Sequence, residues 1–206
     1  MYQPRAFVET DLAQLDALFA ADPFVTLISN DDTGAPFASH LPVLYKRDGD
    51  AVCIEGHWAR PNPQARHSGE ALLIAHGPHA YVSPGWYPDK HEAGRVPTWN
   101  YAVAQLRGRL ERFEDEGSLA DLVARLSRHF EQANGSGWEF DPNDDRQHAL
   151  LRGIVGFRFV PERIEMKFKL SQNHPLANRH AVIEALAQRD DADARAVAAL
   201  MRATLP

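Results

Sequence analysis

GIVGFRFVPERIEMKFKL, Gly153 to Leu170, decides the fold class. In its second half Ile164, Met166, Phe168 and Leu170 alternate with Arg163, Glu165, Lys167 and Lys169. A period of two puts the apolar set on one face of a strand and the charges on the other. Pro161 and Glu162 interrupt the pattern, which predicts a hairpin turning there. Outward from this segment the chain offers more of the same. PFVTLIS, the turn NDDTG and APFASHLPVLYK read as a hairpin. DAVCIEGHW, EALLIAH and AYVSP read as short strands divided by GHWARPNPQ and GPH, and AVAQLRGRLERF as a longer one.

Helical spacing is confined to a few places. Leu12, Leu15, Leu18 and Phe19 follow Thr10 as N-cap and end before Pro23. Leu119, Leu122, Val123, Leu126 and Phe130 form one stripe behind a capping-box-like Ser118 and Asp121. Two short helices close the chain, the second with Val197, Leu200, Met201 and Leu205 on one side. About seven strands that do not alternate with helices predict a mainly β, α+β fold, an antiparallel barrel closed or partly closed to remove exposed edges, with peripheral helices. A parallel doubly wound sheet is disfavoured.

The chain has 206 residues, 44% of them hydrophobic, enough for one sizeable core. Its formal charge of −6 argues against a generally basic, DNA-binding surface. The single cysteine, Cys53, cannot form an intramolecular disulfide, and no window approaches the roughly 18 apolar residues needed to cross a bilayer. A cytoplasmic protein with no membrane contact is the expectation.

Three stretches carry candidate chemistry. GHWARPNPQARH, Gly56 to His67, runs from an apolar strand into a helical turn, with Arg60 as a fixed cation, Asn62 as cap and backbone N–H groups turned outward. Those are the parts of a phosphate site, but with no glycine-rich fingerprint present the spacing alone favours a capped surface turn. GPHAYVSPGWYPDKHEAGRVPTWNY, Gly77 to Tyr101, sets seven aromatic or imidazole rings among four prolines and three glycines. Trp86, Trp99 and Asn100 within it suit a pocket for a planar polar ring, or the filling of a barrel corner. KLSQNH, Lys169 to His174, ends the last strand with a cation, a hydroxyl and two amides. His76 and His79 lack a third ligand at a recognisable spacing, so no metal site is expected, and no catalytic nucleophile, acid or base stands out.

SHLPVL, GHWARPNPQ, GPHAYVSPGWY, VPTWNY and KLSQN, in this order after MYQPRAF, closely resemble the PaiB-like FMN-binding negative transcriptional regulators. The sequence departs from that pattern at Gly85, Pro61 and Ala65. The resemblance implies a flavin-binding split β-barrel over residues 1–174, with residues 175–206 a helical extension of the same domain. It implies FMN at a homodimer interface. The cofactor contacts it implies are Ser39, His40, His57, Arg60, Asn62, Gln64, Trp86, Trp99, Asn100, Lys169 and Gln172. Regulation of transcription is the implied role, with direct DNA binding disfavoured by charge. A small flavin-dependent oxidoreductase, in which FMN carries the redox chemistry, is the alternative, and a haem or flavin sequestration module a third.

Overall fold

A computed structural model describes residues 1–206. In chain order the elements are β1 (Val8–Glu9), α1 (Leu12–Ala21), β2 (Phe24–Asn30), β3 (Pro36–Pro42), β4 (Leu44–Asp48), β5 (Ala51–Ala59), β6 (Gly69–Val82) and β7 (Thr98–Phe113). There follow α2 (Glu116–Ala133), α3 (Asp145–Leu150), β8 (Ile154–Lys169), α4 (Leu176–Ala187) and α5 (Ala192–Ala203). The strands form one eight-stranded sheet in the order β3-β2-β6-β7-β8-β5-β4, with β1 against β8. The α+β, mainly antiparallel class expected from the alternation is the one observed.

The chain divides into two compact units. The first comprises Met1–Leu18, His76–Ala104 and Glu165–Pro206; the second comprises Phe19–Ala75 and Gln105–Ile164. In the second unit β2 and β3 form the expected hairpin, in register from Phe24 opposite Pro42 to Asn30 opposite Pro36. Its turn is held by Asp31, whose Oδ1 accepts from the backbone N–H groups of Thr33 and Ala35, and Gly34 takes the positive φ of 84° that the turn requires. Leu27, Ile54, Trp58, Phe157 and Phe159 fill the core of this unit. In the first unit, α4 and α5 bury Val182, Ile183, Leu186, Val197 and Met201.

Several local expectations are corrected. APFASHLPVLYK is two strands and not one: the chain breaks at Val43, whose side chain is buried and whose N–H goes to the Pro23 carbonyl, and β4 then pairs with β5. The N-cap of α2 is Asp115, accepting from the Ser118 N–H, and Asp11 rather than Thr10 takes the first free N–H of α1, that of Ala13. Neither Pro161 nor Gly77 turns the chain. β8 runs straight through Pro161, because a Cβ on Gly108 of β7 would lie 2.1 Å from the Val160 carbonyl oxygen and 2.6 Å from Pro161 Cα. β6 runs through GPH, and a Cβ on Gly77 would lie 2.6 Å from Leu18 Cδ2. Both glycines permit close approach of neighbouring elements, a use that sequence punctuation cannot separate from a turn.

Gly108→Ala is therefore expected to cost about 1–3 kcal/mol or more in urea unfolding, because backbone atoms must move to admit the methyl group. Gly137→Ala, whose Cβ meets nothing within 4 Å, is expected to stay within about 0.5 kcal/mol of the parent. Equal effects of the two changes would contradict the close approach.

Candidate functional site

The expected cofactor contacts fall into two groups, one in each unit. Ser39, His40, His57, Arg60, Asn62 and Gln64 belong to the second unit, whereas Trp86, Trp99, Asn100, Lys169 and Gln172 belong to the first.

In the second unit β5 leads into a 3-10 turn, Pro63–Arg66, capped by Asn62 Oδ1 accepting from the Gln64 N–H at 2.9 Å. The Asn62 amide also donates to Ser39 Oγ of β3 at 3.0 Å. The Gln64 side chain is fully buried beneath this turn. Its Oε1 accepts from Trp58 Nε1 at 3.1 Å, and its Nε2 donates to the Leu27 carbonyl (3.0 Å), Ser29 Oγ (2.9 Å) and the Phe37 carbonyl (3.2 Å). Fully buried, with its amide hydrogens committed to the β2 and β3 neighbours, the Gln64 side chain faces the core and fixes the turn from inside. Ser29 Oγ also lies 2.9 Å from His67 Nδ1. That hydroxyl accepts from Gln64 and keeps a second acceptor site beside its own proton, so it can either donate to His67 Nδ1 or accept from it.

The turn differs from the expected phosphate nest in one respect. The N–H groups of Arg60, Asn62, Gln64, Ala65 and His67 all find acceptors within the fold, so they do not point outward for an anion. The charge that remains is on side chains. Arg60 is exposed, but its guanidinium bridges the carbonyls of Arg152 (2.6 Å) and Ile154 (2.9 Å) and the carboxylate of Glu114. Hydrogen bonds from Arg60 and then Arg112 hold the Glu114 carboxyl below its ordinary range. Arg66 is exposed at the end of the turn and makes no hydrogen bond or ion pair within the protein. His40 shares a bond with Thr26 across the β2–β3 ladder. Burial pushes the His57 imidazole below its usual pKa, and its Nδ1 is buried without a partner.

In the first unit the aromatic segment is held at several points. Tyr87 is buried and stacked on His174 at 4.9 Å, with the Arg95 guanidinium 5.7 Å from its ring centre. Asp89 is clamped by Arg95 and by the Asn178 amide at 2.8 Å, which holds its carboxyl at about 2. Trp86 is half-buried in the 3-10 turn Pro84–Trp86. Trp99 is 52% exposed and joins His79 and Tyr81 in an open aromatic face, with ring centres 5.9 and 6.0 Å away. Asn100 is fully buried, bonded to Ser171 Oγ at 3.0 Å and to Met201 Sδ at 3.3 Å. Gln172 folds back on its own strand, accepting from the Leu170 N–H and donating to the Phe168 carbonyl. Lys169 Nζ donates to Thr98 Oγ1 at 2.5 Å and to the Trp99 carbonyl at 2.6 Å. Of the expected contacts, Gln64 and Asn100 are thus buried and bonded within the fold, whereas His40, Arg60, Trp99 and half-buried Lys169 reach the surface. Ser29, Arg66 and His67 were not singled out from sequence. Ser29 and His67 lie 38 residues apart, and only strand pairing brings them together.

The family described as "Putative FMN-binding domain" matches residues 1–163. "Protease synthase and sporulation protein PAI 2" of Bacillus subtilis (strain 168) is 30% identical over 204 residues, 98% of this chain and 96% of that protein. Among solved structures, a putative 5-nitroimidazole antibiotic resistance protein from Bacteroides thetaiotaomicron superposes with a TM-score of 0.57 at 12% identity, over 78% of this chain and 85% of that one. The FAD and heme binding protein from Mycobacterium smegmatis superposes with a TM-score of 0.56 at 16% identity, over 79% of this chain and 73% of that one. At such identities the likeness is one of fold, the split-barrel class.

Gln64→Leu keeps most of the volume and leaves Trp58 Nε1 and the Leu27 carbonyl without their buried partner. The expected loss is about 1–3 kcal/mol for each group left unsatisfied, read as a lower urea midpoint. A variant as stable as the parent would contradict the assignment of Gln64 as the support of the turn.

Proposed function

The chain belongs to the FMN-binding domain family, with FMN as its cofactor, and we propose that side chains of the Asn62–His67 turn meet the FMN phosphate. The carrying observation is the pair of arginines at this turn, of which Arg66 has no partner within the protein. A guanidinium offers a rigid fork of donors matched to phosphate oxygens. Arg60 adds charge from the other end, shared with Glu114. The Asn62 amide is a further donor of the right kind. When bound, FMN supplies the redox chemistry, and the protein positions it and tunes its electronics.

We propose further that the protein works as a homodimer and influences transcription through its flavin state, without reading duplex DNA itself. The regulatory part rests on the resemblance to PaiB-like regulators. The part concerning DNA rests on charge: Arg112 is paired with Glu114, Arg125 with Asp121 and Glu55, and Arg158 with Glu55. A duplex binder needs free cations to release counterions from phosphates, and these are committed. The open aromatic face of His79, Tyr81 and Trp99 suits contact with a second subunit.

Purified protein is expected to bind FMN in preference to riboflavin in a flavin-fluorescence titration. Arg66→Ala removes a charge-assisted contact of about 1.5–3 kcal/mol, so it is expected to weaken FMN and leave riboflavin unchanged. Arg66 is the diagnostic position because Arg60→Ala also removes a clamp on two carbonyls. Equal affinity of the parent for the two flavins would contradict the phosphate assignment. Light scattering on the same FMN-loaded sample is expected to give twice the 23.0 kDa chain mass, and a monomer at micromolar concentration would contradict the dimer.

A further inference from the structure

Lys169 carries a charge that the fold leaves unbalanced. Both of its acceptors, Thr98 Oγ1 and the Trp99 carbonyl, are neutral, and they occupy two of the three ammonium hydrogens. Lys167, two residues back on the same strand face, is 9% exposed and donates only to the Tyr2 carbonyl, at 3.1 Å. Its Nζ lies 5.4 and 5.5 Å from the ring centres of Tyr2 and Tyr101, again neutral partners. Glu165, next along this face, takes the Met1 ammonium at 2.9 Å. Two neighbouring ammonium groups are therefore held in or near the interior without a carboxylate. Burial first, and then Lys167, lowers the pKa of Lys169. A partly buried cation in this position gains from an anionic partner.

The space for that partner is present in the same unit. A cavity of about 230 Å³ is lined by Arg95, Thr98, Lys169, Ser171, Asn173 and His174 together with the rest of the 93–97 segment, and no acidic residue lines it. Arg95 is neutralised by Asp89, which leaves Lys169 as the cavity's net charge. Two further features mark the wall. Ser171 holds a φ of 63°, a left-handed conformation unusual for serine, and strain of this kind collects at ligand sites. His174 Nδ1 is buried with no hydrogen-bond partner. The volume falls below the roughly 300–1,000 Å³ of pockets that enclose a drug-sized ligand. It suits a small ion or the charged end of a larger molecule.

We infer that this cavity binds a small oxyanion group, a carboxylate or a phosphate, with Lys169 as its charge partner. The inference stands apart from the flavin reading, which places the FMN phosphate at the Asn62–His67 turn. Lys169, expected from the resemblance to contact the cofactor, here serves a second ligand, either an effector or the anionic end of a substrate.

The test is a ¹⁵N–¹H NMR titration with inorganic phosphate and, separately, with succinate, at ionic strength fixed with sodium chloride, on FMN-free and FMN-saturated protein. Saturable shifts at Thr98, Ser171, Asn173 and His174 are expected with at least one probe, and the tighter probe identifies the group. Lys169→Met is expected to weaken binding about 10- to 100-fold, the range for loss of a charge-assisted bond, and Lys169→Arg to restore most of it. Saturating FMN is expected to leave the oxyanion affinity unchanged. Absence of saturable shifts into the millimolar range, or equal affinity of Lys169→Met and parent, would overturn the inference. Competition by FMN would also overturn it, by placing the cavity in the flavin site. Oxyanion binding by a protein that fails to bind FMN would support this inference while removing the cofactor assignment.

Discussion

One buried amide organises the part of the molecule to which the cofactor phosphate is assigned. Gln64 sits below the 3-10 turn with no exposed surface and is bonded to Trp58, Leu27, Ser29 and Phe37. It therefore ties β2, β3 and β5 to the turn. A primary amide in an apolar interior is costly unless satisfied, so the turn can occupy only the position in which these partners are reached together. The consequence propagates outward. Asn62 caps the turn and holds Ser39, Ser29 meets His67 Nδ1, and Arg66 is left at the exposed end with nothing inside the protein to hold it. The surface proposed to meet the phosphate is thus set from below, by groups buried beneath it.

Charge in the rest of the molecule follows a contrasting pattern. Several outward-facing arginines are matched by acids. Glu55 receives both Arg125 and Arg158, and Glu114 receives both Arg60 and Arg112. Ion pairs at the surface add little to stability, but these remove free positive potential from it. Lys167 and Lys169 run against this trend, since they meet only carbonyls, a hydroxyl and aromatic rings.

Much of the fold was legible in the sequence because its signals are local. The alternation from Ile164 to Leu170 is a strand, the stripe from Leu119 to Phe130 is a helix, and Asn62 caps the turn it was expected to cap. What local pattern misread was punctuation. Gly77 and the Pro161–Glu162 pair suggested breaks, yet both lie inside long strands, because the glycines make room for neighbouring elements distant in sequence. Val43 shows the opposite failure: a continuous apolar pattern hides the point where the chain leaves one strand pair for another. At the candidate site, residue types were legible and their commitments were not. Whether an amide faces a ligand or the core depends on partners up to 37 residues away for Gln64 and 101 for Asn100, and spacing along the chain carries no record of that.

The most direct test of the account is a crystal structure of the FMN complex, examined for where the phosphorus atom lies. The account predicts the phosphate within hydrogen-bonding reach of the Arg66 and Arg60 guanidinium groups, with the Gln64 amide still bonded to Trp58, Leu27 and Ser29 beneath it. A phosphate bound away from the Asn62–His67 turn, or a Gln64 side chain swung out to touch it, would contradict the claim that a buried amide builds the site from behind.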